Sequence, residues 1–158
     1  MPATMQIPFW QRLLALLAYL LPWSDGVLFG ESLFGLFPFL QLLALPALPL
    51  LTLQRLVPFG GFLLFLALFL GVVRNQRVPY FIRFNVLQAI LLDIVLILLS
   101  LAFRVLLAPL AGGFALRTLS NTVFLGTLLL VLFAAVQCIR GKEPDIPTVS
   151  EAVRIQLY

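Results

Sequence analysis

The chain has 158 residues, 63% of them hydrophobic and 10% charged, with a mean hydropathy of +1.14. A water-soluble domain carries about 25% charged residues. A chain this short also has too much surface for its volume to hide such an apolar excess, so a freely soluble fold is excluded and lipid must wet the exterior. The net charge of +4 is mostly arginine at the edges of apolar runs, which excludes the basic stripe that nucleic-acid binding needs and reads instead as topology marking at a membrane surface.

There is room for one membrane domain, residues 1–158, and the fold class is all-α. A membrane crossing takes about 20 predominantly apolar residues, because about 30 Å of hydrocarbon is spanned at 1.5 Å per residue. The first apolar run, Leu13 to Leu21, is shorter than that and meets Pro22 and the turn-forming Trp23-Ser24-Asp25-Gly26. It predicts an interfacial helix over 9–22, with Trp10 and Trp23 at its two ends in the headgroup zone. A fifth span starting here is the alternative.

Four segments meet the length test, at 32–54, 56–73, 84–103 and 118–139. The first contains Pro38, Pro46 and Pro49, each of which removes a backbone donor and crowds the preceding turn. It is expected to kink against its neighbours or to break for a functional purpose. Arg55 makes a very short connection to the second segment, whose first turn holds Pro58, a position where proline is tolerated. The linker to the third segment carries Arg74, Arg77 and Arg83. The apolar connection from Arg104 to Arg117 turns at Gly112-Gly113.

With these four spans one side collects Arg12, Arg74, Arg77, Arg83, Arg140, Lys142 and Arg154, and the other Arg55, Arg104 and Arg117. Seven against three predicts that both termini are cytoplasmic or stromal. The tail, 140–158, opens on a turn-rich stretch. Thr148 and Glu151 then have the spacing of a capping box, predicting a short amphipathic helix with Val149, Ala152, Val153 and Leu157 on one face. That face could lie on the membrane, dock on the bundle or belong to an ordered tail.

Asp93 falls at mid-span, where an acid costs about 2.5–3.5 kcal/mol on insertion scales and must face protein. Asn85, Asp93 and Ser100 share a helical sector with Gln88 on its flank. Gln41 and Thr127 match in depth, giving a candidate polar layer. This is either a hydrated, substrate-facing surface or a set of interhelical hydrogen bonds that fix packing.

Ser120, Thr127 and Ala134 recur every seven residues as a small-residue seam, whereas Gly26-x-x-x-Gly30 falls in a predicted connection. One cysteine, Cys138, and no histidine exclude an internal disulfide and a Cys/His zinc site; Cys138 reads as a small apolar residue. No catalytic constellation, metal site or cofactor motif is present, and the chain is not expected to be an enzyme.

Several stretches carry a resemblance. They are Ala18-Tyr19-Leu20-Leu21-Pro22, Phe29-Gly30, Pro58-Phe59 and Gly71-Val72-Val73-Arg74-Asn75. The longest is Phe81-Ile82-Arg83-Phe84-Asn85-Val86-Leu87-Gln88-Ala89-Ile90-Leu91-Leu92-Asp93, followed by Asn121-Thr122, Gly141-Lys142-Glu143-Pro144 and Ser150-Glu151-Ala152-Val153. In this order they resemble the family of the twenty-kilodalton subunit of the chloroplast inner-envelope protein translocon and its cyanobacterial relatives.

The resemblance implies four membrane helices, both termini stromal or cytoplasmic, and a channel-forming part in moving unfolded precursor proteins beside other translocon subunits or further copies of itself. The opening Met1-Pro2-Ala3, without an Arg- and Ser-rich leader, predicts a cyanobacterial or plastid-encoded member, placed in a cyanobacterial membrane or the plastid inner envelope. A small-solute or ion carrier using Asp93, and a non-transporting scaffold, are the alternative functions.

Overall fold

The computed structural model describes residues 6–107, 109 and 113–157. Met1-Pro2-Ala3 and Gly112 of the expected turn lie outside these. Among the described residues all regular structure is helical: α1 Phe9–Leu36, α2 Pro38–Leu56, α3 Gly60–Val73, α4 Tyr80–Leu106, α5 Gly113–Ile139 and α6 Val149–Leu157. Four of them, α1, α2, α4 and α5, are long and apolar enough to cross a membrane.

The four long helices are not the four segments marked out by charge. The N-terminal run does not stop at Pro22. It continues as α1 for 28 residues, with Leu21, Pro22, Trp23, Ser24 and Gly26 all buried. Pro22 sits three residues after a break at Tyr19, as expected of a ring that displaces the carbonyl one turn back. Ser24 is satisfied locally, its hydroxyl donating to the Leu21 carbonyl at 2.6 Å.

The expected span at 32–54 is divided instead at Phe37, where φ −128° and ψ 83° end α1. From Pro38 to Ala47 the chain forms a 3₁₀ helix, then an α-helix to Leu56. Ten residues of 3₁₀ is long for that conformation, and Pro46 within it removes a backbone donor that an α-helix would use. Pro58 lies in the turn after α2 rather than in a helix, and Phe59 is left-handed with φ 57°. The close return is made by Gly60, where a Cβ would stand 2.5 Å from the Gln54 carbonyl oxygen.

α1, α4 and α5 form the core. Ala15 and Tyr19 pack with Phe81, Ala89, Ala134 and Cys138, and Trp23, Val27 and Phe29 pack with Leu96 and Phe124. The small-residue seam faces α1: Thr127 meets Gly26, and Ala134 is fully buried. Gly26-x-x-x-Gly30 therefore lies inside a long helix and permits its close approach to α5, since a Cβ on Gly30 would lie 2.8 Å from Phe124. α2 runs back along α1, Leu43 beside Trp23 and Leu53 beside Leu14 and Leu17.

α3 returns to the same end of the bundle at which it began. Gly60 touches Gln54, and the Val73 carbonyl accepts the Arg83 Nε–H at 2.9 Å near the start of α4. The start of α1 and the end of α5 meet there too, Arg12 donating to the Ile139 carbonyl at 3.2 Å. α6 docks on this end through Ser150 and Val153, while Ala152 of the expected face is exposed. The capping box is replaced. Thr148 has φ 70°, outside the extended range an N-cap adopts, and the Ser150 hydroxyl accepts the Ile146 N–H at 2.8 Å.

Candidate functional site: two polar centres inside the helix bundle

The anticipated polar layer separates into two centres on α4. The first is built on Asn85 and Gln88, one turn apart and both fully buried. The Tyr19 hydroxyl of α1 donates to Asn85 Oδ1 at 2.7 Å, and the Asn85 amide donates to the Phe81 carbonyl at 2.8 Å. The Cys138 thiol of α5 lies 3.3 Å from the same Oδ1. Gln88 Nε2 reaches the Tyr19 oxygen and the Pro144 carbonyl, each at 3.0 Å, and Gln88 Oε1 accepts the Ser150 hydroxyl.

This centre ties α1, α4, α5, the Pro144 turn and α6 together. In a dry interior each bond replaces a water that cannot enter, so its loss leaves a partner unsatisfied. Tyr19, Cys138 and Ser150 join this centre from other elements, which helical spacing along one segment does not reveal. Cys138 belongs to the network rather than serving as a plain apolar filler.

The second centre is Asp93, five residues beyond Gln88 and about 7.5 Å further along the helix. It is 9% exposed, and Asp25 of α1 is close to it. Oδ1 of Asp93 meets no partner among the described residues. Beside the pair, Asp25, Ser100 and Arg104 line a cavity of 270 Å³. The local sequence around Asp25 has the chemistry of a turn; the continuation of α1 through it is what brings it near Asp93.

Thr127 returns its hydroxyl to the Val123 carbonyl at 2.8 Å and serves packing against Gly26. Gln41 is exposed on α2 and joins neither centre, because the break at Phe37 makes it the fourth residue of α2 instead of the middle of a 32–54 span.

Among the expected interface residues, Trp10 is 52% exposed, whereas Trp23 is buried at 5%. The Trp23 indole N–H donates to the Leu43 carbonyl at 2.9 Å and its ring lies 5.6 Å from that of Phe124. It is therefore a packing residue, satisfying one of the carbonyls that the 3₁₀ stretch leaves available. Arg74, Arg77, Arg140 and Lys142 are exposed, and Arg83 is half-buried. No group of three or more potential metal ligands occurs among the described residues.

Comparison with known proteins finds one family along nearly the whole chain. The family model described as chloroplast import apparatus Tic20-like matches residues 1–153. A Tic20 family protein of Synechocystis is 41% identical over 147 residues, covering 92% of each chain. Protein TIC 20-II, chloroplastic, of Arabidopsis thaliana is 35% identical over 153 residues, covering 95% of this chain and 74% of that one. The Tic20 family protein Ycf60 of Gracilaria tenuistipitata is 34% identical over 152 residues, covering 92% and 74%. The chain belongs to the Tic20 family.

Proposed function

We propose that the chain is a non-enzymatic membrane subunit of a protein-translocation assembly, contributing to a path for unfolded precursor proteins. The observation that carries this reading is family membership over residues 1–153, the family being described as part of the chloroplast import apparatus. Its site of action would be a cyanobacterial membrane or the plastid inner envelope.

The packing limits how it would work. Tyr19, Phe84 and Phe124 are fully buried side chains within the single bundle, so the described residues of one copy leave no polypeptide-wide passage where they pack. Conduction therefore requires further copies or other translocon subunits. α2 supplies a face for them: it is apolar, long enough to cross, and almost unburied within one chain.

A photo-crosslinker at Leu42 or Leu45 of α2, and at Leu129 of α5, tests the reading with a precursor arrested in transit. Adducts that appear only when the precursor is present are expected. Adducts confined to lipid and to other copies at every position would contradict a translocation role.

We further infer that the end of the bundle carrying Arg12 faces the cytoplasm or stroma, with α3 lying along that surface. The return of α3 to its starting end moves Arg55 to this side. Arg12, Arg55, Arg74, Arg77, Arg83, Arg140, Lys142 and Arg154 then stand against Arg104 and Arg117. Eight against two is a stronger positive-inside bias than seven against three, which supports the assignment.

The contact of Asp25 with Asp93 favours one second reading, a proton-linked carrier for ions or small solutes. Under it, Asp93→Asn abolishes pH-coupled flux in proteoliposomes while leaving the detergent particle intact. Unchanged flux would remove this reading.

A further inference from the structure

At the end of the bundle where α3 gives way to α4, a cavity of 240 Å³ is lined by Phe69, Val73, Arg74, Gln76, Arg83, Leu87, Gln156 and Leu157. Its described lining has two guanidinium groups and two carboxamides but no carboxylate. Among the described residues no ion pair joins Arg74, Arg77 or Arg83. Two carboxylates at the same end, Glu143 and Asp145, are each engaged by Arg154 at 3.4 Å. Arg83 is held in place by its Nε–H on the Val73 carbonyl, which leaves its terminal nitrogens for another acceptor.

On the other face of the α3–α4 junction lies an apolar groove of 480 Å³. Leu64, Leu68, Val72, Ile82 and Val86 form its near side, and leucines of α1 and α2 its far side. The two sites border the same stretch of chain, since Val72 and Val73, Ile82 and Arg83, and Val86 and Leu87 are consecutive residues that line one and the other.

We propose that this pair of sites binds one anionic phospholipid, with its phosphodiester between Arg74 and Arg83 and an acyl chain in the groove. Charge complementarity selects the headgroup: uncompensated arginines at a membrane surface attract anionic lipid, and guanidinium groups match phosphate oxygens geometrically. The hydrocarbon lining selects a lipid over a soluble phosphate. The proposal rests on this end of the bundle facing the headgroup layer, an assignment that labelling experiments test separately from lipid retention.

The test is native mass spectrometry of the delipidated protein offered equal amounts of phosphatidylglycerol and phosphatidylcholine, with glycerol phosphate as a soluble competitor. One phosphatidylglycerol is retained in preference to phosphatidylcholine. Arg74→Gln weakens that retention about five-fold, whereas Arg55→Gln, at the same end but outside the cavity, leaves it unchanged. Leu68→Trp, which fills the groove and keeps both arginines, also lowers retention.

Equal retention of the two lipids, or an equal loss in Arg55→Gln and Arg74→Gln, would overturn the proposal. Displacement of the lipid by millimolar glycerol phosphate would overturn it as well, identifying a soluble phosphate as the occupant.

Discussion

Gly26→Ala destabilises the protein by about 2 kcal/mol, although alanine is the better helix former by about 1 kcal/mol. The sign reverses the usual propensity because the new methyl would overlap the Thr127 side chain of α5, whose Cβ stands 3.1 Å away. Thr127 is β-branched and stiff about χ1, so the clash is relieved by separating α1 from α5 rather than by a rotamer change. Thr127→Ala removes the crowding methyl and recovers part of the loss, a positive coupling measurable by a double-mutant cycle of denaturant unfolding in mixed micelles. Gly126→Ala is the control. Nothing lies within 4 Å of its added Cβ, and it is neutral or stabilising. A Gly26→Ala protein as stable as the parent would show that α1 and α5 are not in close contact.

Gln88→Leu has a different consequence, because it removes a connector rather than adding bulk. The Tyr19 oxygen, the Pro144 carbonyl and the Ser150 hydroxyl each lose a partner in the buried network. Unsatisfied buried groups cost about 1–3 kcal/mol each, and the tail can regain water by undocking. Undocking of α6 therefore sets the size of the effect, at about 3 kcal/mol. Limited proteolysis within 141–148 accelerates about a hundredfold when cleavage follows the open population, while the rest of the bundle stays resistant. Ser150→Ala, which removes the same hydroxyl's bonds to Gln88, the Pro144 carbonyl and the Ile146 N–H, accelerates cleavage as well. Equal cleavage rates for Gln88→Leu and the parent would show that Gln88 does not hold the tail.

The lipid-wetted exterior, the all-helical class and four long apolar helices were legible because each follows from composition and run length. The cores of α4 and α5 were legible for the same reason: 84–103 and 118–139 lie within them and carry few interruptions. α1 was not. Pro22 and the polar Ser24-Asp25-Gly26 have the local chemistry of a turn, and what keeps them helical is non-local. Ser24 bonds back to Leu21, Asp25 meets Asp93, and Gly26 admits Thr127. A window of neighbouring residues contains none of the last two partners.

Helical spacing brought Asn85, Gln88 and Asp93 to notice, since polar residues are rare in such a run. Spacing could not separate them into two centres, because that division is made by Tyr19, Cys138 and Ser150 on one side and Asp25 on the other. The Thr148–Glu151 pair shows the complementary failure. The motif is present, but the Pro147–Thr148 turn adopts a left-handed conformation to seat Ser150 against Gln88, and tertiary bonding overrides the local cap.

The arrangement of the chain in the membrane is tested most directly by single cysteines at positions 55, 76, 117 and 156, labelled with an impermeant thiol reagent from each side of sealed vesicles. The native Cys138 is fully buried and contributes little background. Positions 55, 76 and 156 label from one side and 117 from the other. Labelling of 55 from the same side as 117 would contradict the path of α2 and α3, and with it the eight-to-two division of charge.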